Sequence, residues 1–141
     1  MRPENVMVPT RFLVTLGHLI AVFIAAQTVD DNVAASIPSD SSLAEFTAAK
    51  EGVMLITYFS LAFFAIDLFG LLRGYTMFQN NVNVAHVCFH FLGSVYMCWY
   101  IMYSWHIRIF TYLFIFSNVF PTTIEIIAIL RIACCRAEVL K

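Results

Sequence analysis

Two carboxylates and three histidines stand inside otherwise charge-poor apolar segments of this 141-residue chain: Asp67, Glu125, His18, His86 and His90. These side-chain types serve in metal sites, haem pockets and proton relays. Their placement rhymes. Asp67 and Glu125 each stand six residues before an arginine that ends the segment, Arg73 and Arg131, about 9 Å along a helix. His18 and His90 each lie six residues into their own segment, and His86 falls one turn before His90 on the same helical face. All five are therefore expected at one depth. A carboxylate inside a membrane span costs several kcal/mol unless it faces protein or water. Hydrogen bonds between helices, each worth about 0.6–2 kcal/mol, account for such residues without a ligand. Thr57, Ser60 and Asp67 share one helical stripe, and Asn118, Thr122 and Glu125 share another, with Pro121 expected to kink the helix and free a carbonyl. The reading adopted is an interhelical polar layer of His18, Asp67, His86, His90, Thr122 and Glu125. Ion or proton handling and metal or haem binding are its alternatives. No catalytic, cofactor-binding or metal-binding residue is assigned.

The elements that position these residues follow from hydropathy. Charge-poor runs cover residues 12–29, 52–72, 84–105 and 109–130, and roughly 20 apolar residues in a helix cross a hydrocarbon core. Hydrophobic residues make up 61% and charged residues 12% of the chain, against about 45–50% and 25% in soluble domains. Lipid must then be part of the solvent. The expected fold is all-α, one polytopic four-helix membrane domain over residues 1–141. The first run is read as a retained helix because its length exceeds that of a leader's apolar region.

Basic residues fall unevenly between the runs. Arg2, Arg11, Arg73, Arg131, Arg136 and Lys141 lie on one side, and Lys50 and Arg108 on the other. The positive-inside rule then places both termini in the cytosol, with residues 131–141 as a cytosolic tail. Residues 30–51 form an extracytosolic loop with five acids, Asp30, Asp31, Asp40, Glu45 and Glu51, against Lys50. Within it, Ser42 and Glu45 match a capping box, so a short helix is expected to lead into the second span. Val8–Arg11 reads as an entry segment, because Pro9 is poorly tolerated inside a helix. The break at His106–Arg108 is short enough to make the last two spans antiparallel neighbours. Tyr100, Tyr103, Trp105 and Tyr112 around it suggest an interfacial belt.

Small residues supply candidate packing positions: Gly17, Ala21 and Ala25 at every fourth residue of the first span, and Gly70 and Gly74 at the end of the second. The four cysteines do not form a disulfide framework. Cys88 and Cys98 are expected as packing residues, and Cys134 and Cys135 as candidates for palmitoylation beside basic residues at the membrane exit. The net charge of −1 gives no reason to expect nucleic acid. A nucleophile elbow, a P-loop and an HExxH motif are all absent from the sequence. No enzymatic activity or small-molecule substrate is expected.

Several local patterns occur in an order that resembles the transmembrane protein 107 family over residues 8–130. They are Val8–Pro9–Thr10–Arg11–Phe12 leading to His18, and Phe64–Ala65–Ile66–Asp67–Leu68 followed by Gly70, Gly74 and Met77–Phe78. Ala85–His86 and Phe120–Pro121 followed by Glu125 complete the set. Asp67 stands where a family member carries Glu, and the tail bears Cys134–Cys135 rather than the basic ending of that relative. The resemblance implies a four-pass protein of the ciliary transition-zone membrane, partnered by lipid and by proteins of the Meckel-syndrome module. It would anchor those partners and support control of ciliary membrane composition. The alternative is a small transporter or channel subunit using Asp67, Glu125 and the histidines. A haem-binding redox protein using the histidines is a further rival.

Overall fold

The computed structural model describes residues 4–139, with side chains described for residues 6–135. Arg2 and Lys141 lie outside the described residues, as does the side chain of Arg136. The elements are α1 (Glu4–Gln27), α2 (Val29–Ala34), α3 (Leu43–Leu72), α4 (Asn80–Met102), α5 (Ile107–Phe114), a π-helical segment (Ile115–Val119) and α6 (Phe120–Val139). No strand occurs among the described residues. Four helical passages are long and apolar enough to span a bilayer: Val6–Gln27, Leu43–Leu72, Asn80–Met102 and Ile107–Cys135. Helix is the only open-ended backbone that satisfies its own polar groups in lipid, which is why apolar runs of this length take it.

α1 begins earlier than expected and runs straight through Pro9. Proline removes one N–H, but in the second turn of the helix only a single backbone bond is forfeited. Arg11 is thereby built into the helix rather than ahead of it. At the other end, Thr28 turns its hydroxyl back onto the carbonyls of Ile24 and Ala25. α2 then folds across one end of the bundle, burying Val29, Asn32 and Val33. Ser36 accepts a hydrogen bond from the Ile107 amide at 3.0 Å, tying this loop to the start of α5.

The capping box forms: Ser42 Oγ accepts from the Glu45 amide at 3.3 Å, and Glu45 Oε2 accepts from the Ser42 amide at 2.8 Å. From Leu43 a single unbroken helix runs to Leu72, rather than a short helix leading to a second, because no residue along it breaks the pattern. Its 30 residues extend about 45 Å, so part of α3 projects beyond a hydrocarbon core of about 30 Å. It stops in a Schellman turn, in which the Gly74 amide donates to Leu71 O and the Tyr75 amide to Gly70 O. Gly74 has φ +78°, which assigns it to this turn rather than to helix packing.

The last passage is helical throughout but changes pitch. Pro121 has no N–H for the Ser117 carbonyl, and the π segment lies immediately upstream, where the Phe120 amide reaches Ile115 O. The additional residue in that wide turn brings both Ser117 and Asn118 inside.

Interior positions recur at alternating spacings of three and four, as in left-handed bundles. On α1 the stripe runs Arg11, Thr15, His18, Val22, Ala25; on α4 it runs Asn83, His86, His90, Gly93, Met97, Tyr100. α1 packs most extensively against α4, and α3 lies against both α1 and α6. The interior is divided along its length. Val22, Val33, Val53, Met97, Tyr100 and Phe110 belong to an apolar core beneath α2. Arg11, Asp67, Asn83, His86 and Glu125 fill the opposite half. Phe23, Phe59, Phe91 and Leu130 lie exposed on the flanks that lipid would cover.

Three expectations for individual residues change. Tyr100 packs in the core against Phe110 instead of joining an interfacial belt, whereas Tyr103 and Tyr112 are exposed. Cys88 and Cys98 face outward and do not pack inside the bundle. Gly17 is also outward, with no heavy atom within 4 Å of the point where a Cβ would stand, while Ala21 and Ala25 are buried. Thr57 and Ser60 do face inward, but their hydroxyls bond to Val53 O and Ile56 O of their own helix.

Candidate functional site

Arg11 is the first residue of the buried layer and is 0% exposed. Its Nη2 pairs with Glu125 Oε2 at 2.9 Å, and its Nη1 donates to Asn83 Oδ1 at 2.9 Å and Thr76 Oγ1 at 3.0 Å. Thr76 in turn donates to Glu125 Oε1 at 2.7 Å. Asn83 is held by a bond from its Nδ2 to Met77 O at 2.8 Å. One guanidinium thus joins α1, α4, α6 and the turn between α3 and α4. The expectation that Arg11 flanks the membrane does not hold: the helix passing through Pro9 turns it onto the interior face, seven residues before His18.

Glu125 Oε2 also lies 3.2 Å from His86 Nε2. His86 Nδ1 lies 3.4 Å from His90 Nε2, and His90 Nδ1 lies 3.1 Å from His18 Nδ1. Ser117 Oγ stands 3.2 Å from His18 Nε2 and donates to Leu113 O at 2.6 Å. A continuous polar chain therefore runs from Arg11 through Glu125 and three imidazoles to Ser117. Asp67 approaches from α3, with Oδ2 at 3.3 Å from His90 Nε2 and 4.0 Å from His86 Nδ1. Neither Asp67 oxygen receives a well-directed hydrogen bond from a described residue. Phe64 closes the apolar side, its ring edge-on to His18 at 5.0 Å between centroids.

The structure thus brings together His18, Asp67, His86, His90 and Glu125, all at or below 2% exposure. Thr122 is buried alongside them with its hydroxyl close to the Asp67 carboxylate but not well aligned for a hydrogen bond to it. Two glycines make the room. A Cβ on Gly70 would overlap the Glu125 carboxylate, and one on Gly93 would lie 2.5 Å from Ser117 Cβ and 2.8 Å from His18 Cε1. Arg11, Thr76, Asn83, Gly93 and Ser117 are the members that sequence reasoning missed. For two of them a signal existed, since Arg11 is at i−7 from His18 and Asn83 at i−3 from His86, both on the helical face already in use. Cys134 and Cys135 are exposed on the last described turns of α6, remote in sequence from the layer.

This geometry can brace four helices against one another, hold protons or bind a cation. The TMEM107 family model, described as Transmembrane protein, matches residues 7–129, a stretch that includes every residue of the buried layer. Transmembrane protein 107 of Homo sapiens is 30% identical over 121 residues, covering 84% of this chain and 85% of that protein. That of Rattus norvegicus is 28% identical over 119 residues with the same coverage, and that of Danio rerio 23% over 124 residues, covering 88% and 92%. No solved structure matches the chain. With the match running from the turn before Arg11 to beyond Glu125, the chain belongs to the transmembrane protein 107 family.

Proposed function

We propose that this protein is a non-enzymatic scaffold of the ciliary transition-zone membrane, with both termini in the cytosol. It would anchor proteins of the Meckel-syndrome module and so support cilium assembly and control of ciliary membrane composition. Family membership over all four spans supports this reading. The observation that carries it physically is the Arg11–Glu125 pair at 2.9 Å, which links the first and last spans at the centre of a sealed polar layer. A carrier would need a water path to its titratable groups. His18, His86, His90 and Glu125 are all 0% exposed and Asp67 2% exposed, which favours bracing over transport. In this reading the layer fixes the arrangement of the helices, and the α2 cap, the acidic loop and the lipid-facing flanks meet partners.

Endogenous tagging and imaging against ciliary-base markers tests the proposal. A band restricted to the transition zone is the expected result, with Glu125→Leu inserted in membranes yet lost from that band. A uniform endoplasmic-reticulum or plasma-membrane signal for the wild-type protein refutes it.

A further inference from the structure

We propose that Asp67, His86 and His90 bind one divalent transition-metal ion of the zinc class, held between α3 and α4 in the polar half of the bundle. The donor atoms His86 Nδ1, His90 Nε2 and Asp67 Oδ2 are separated by 3.4, 3.3 and 4.0 Å. A circle through three atoms so spaced has a radius of about 2.1 Å, the length of a zinc–imidazole or zinc–carboxylate bond. One ion near its centre reaches all three donors with no movement of a helix. Closing the 4.0 Å separation of Asp67 Oδ2 and His86 Nδ1 by about half an ångström would lift the ion out of the donor plane and open a fourth, tetrahedral position for water, as in other sites built from two histidines and a carboxylate.

The hydrogen bonds around the triad point the same way. Ser117 Oγ spends its proton on Leu113 O, so it accepts from His18 Nε2. His18 then presents an Nδ1 lone pair to His90 Nδ1, which must donate. A neutral His90 is left with a bare Nε2 that His86 Nδ1 could reach at 3.4 Å and that faces an ionised Asp67 Oδ2 at 3.3 Å, lone pair against lone pair. A cation between them converts that conflict into coordination. His86, ligating through Nδ1, keeps its proton on Nε2, the atom 3.2 Å from Glu125 Oε2 but not directed at it in this structure. Turned onto it, that N–H would complete a carboxylate–histidine–metal arrangement, with the carboxylate itself fixed by Arg11 and Thr76. Each imidazole nitrogen of the cluster then has one role.

Charge is compatible with the ion. Two ionised acids against one arginine leave the layer one charge negative when the histidines are neutral, and a divalent ion whose bound water has lost a proton brings it to neutrality in a medium where an unbalanced charge is costly. The ion's entry accompanies folding, because the finished site is sealed. The site does not depend on where the protein resides or what it assembles with.

Full-length protein refolded into lipid nanodiscs in the presence of Zn²⁺ and then desalted is the material for the test. One zinc per chain should remain, with zinc-edge X-ray absorption showing nitrogen and oxygen at about 2.0–2.2 Å and the outer-shell scattering of two imidazoles. Asp67→Asn and His90→Gln should each weaken zinc binding more than about tenfold, the low end of what even an outer-shell substitution costs. Ser60→Ala, buried on α3 outside the triad, should bind as the wild type does. Folded wild-type protein retaining no more zinc than a buffer blank, or a spectrum without imidazole scattering, overturns the proposal and leaves the layer to protons alone. Undiminished binding by Asp67→Asn overturns it equally. Should either ligand variant fail to fold, the wild-type spectrum decides.

Discussion

Replacing Arg11 with methionine keeps most of the side chain's length while deleting its charge and its donors. Glu125 would then be a carboxylate at 0% exposure without its cation, and stranding a buried charge in this way costs about 3–5 kcal/mol. The hydrogen bonds to uncharged partners add less. Thr76 still has Glu125 as acceptor and Asn83 still donates to Met77 O, so only Asn83 Oδ1 is newly orphaned, at about 1 kcal/mol. The sum is about 4–6 kcal/mol, comparable to the whole stability of many domains. In Arg11→Met/Glu125→Met no charge of the pair is left uncompensated. The double variant should therefore be more stable than Arg11→Met alone, with a coupling of about 3 kcal/mol, the low end of the stranded-charge cost. Reversible unfolding in bicelles, run as a double-mutant cycle, measures this. An Arg11→Met protein within about 0.5 kcal/mol of wild type, as for an arginine at the membrane edge, refutes the buried pair. Losses that simply add in the double variant refute it too.

The glycines give a graded series. Gly70→Ala and Gly93→Ala should each lose about 1–3 kcal/mol by overpacking against Glu125 and against Ser117 and His18, whereas Gly17→Ala, with open space around it, should be neutral or gain up to about 1 kcal/mol. Gly74→Ala should cost about 1–2 kcal/mol because its φ of +78° penalises a side chain; thermal unfolding in detergent ranks all four. A cysteine introduced at Ser39 should react with an impermeant maleimide on intact cells, while Cys134 and Cys135, freed with hydroxylamine, react only after permeabilisation; the reverse pattern overturns the cytosolic placement of the termini. Acylation of Cys134 and Cys135 should appear as a hydroxylamine-sensitive mass lost in Cys134→Ser/Cys135→Ser, and an unmodified wild-type tail removes that expectation.

The four-span architecture was legible because lipid imposes a length and a composition that few sequences meet by accident. The depth of the acids and histidines was legible for a related reason: helical rise converts residue counts into ångströms, and His18, Asp67, His86, His90 and Glu125 do meet. Arg11 was not, since a charge beside a proline at the head of an apolar run looks like a boundary. Only the tertiary pairing with Glu125, 114 residues away, makes burial tolerable. Thr76 and Ser117 were hidden differently. The first sits in a turn whose path Gly74 sets, and the second enters the interior only because the wide turn before Pro121 adds a residue. Gly17 shows the converse: a small-residue spacing is present, but the face carrying Arg11, His18 and Val22 won the interior, leaving Gly17 outside.

Apolar side chains distinguish poorly between helices in lipid, because tails and side chains are alike in polarity. A polar layer can discriminate, at the cost of stranded groups in any arrangement that leaves one member out. Here the stranding is distributed. Arg11 lies on α1, Asp67 on α3, His86 and His90 on α4 and Glu125 on α6, so no three of these helices satisfy the set. Until α6 is in place, Arg11 lacks its carboxylate and His86 the carboxylate 3.2 Å from its Nε2. The structure therefore commits only when the last span docks, and the α2 cap, tied to Ile107 at the start of that passage, is fixed by the same event. Coupling between the sealed layer and the far end of the bundle follows from chain connectivity alone. On the scaffold reading, a surface displayed by α2 and the acidic loop would be presented to partners only by fully assembled copies.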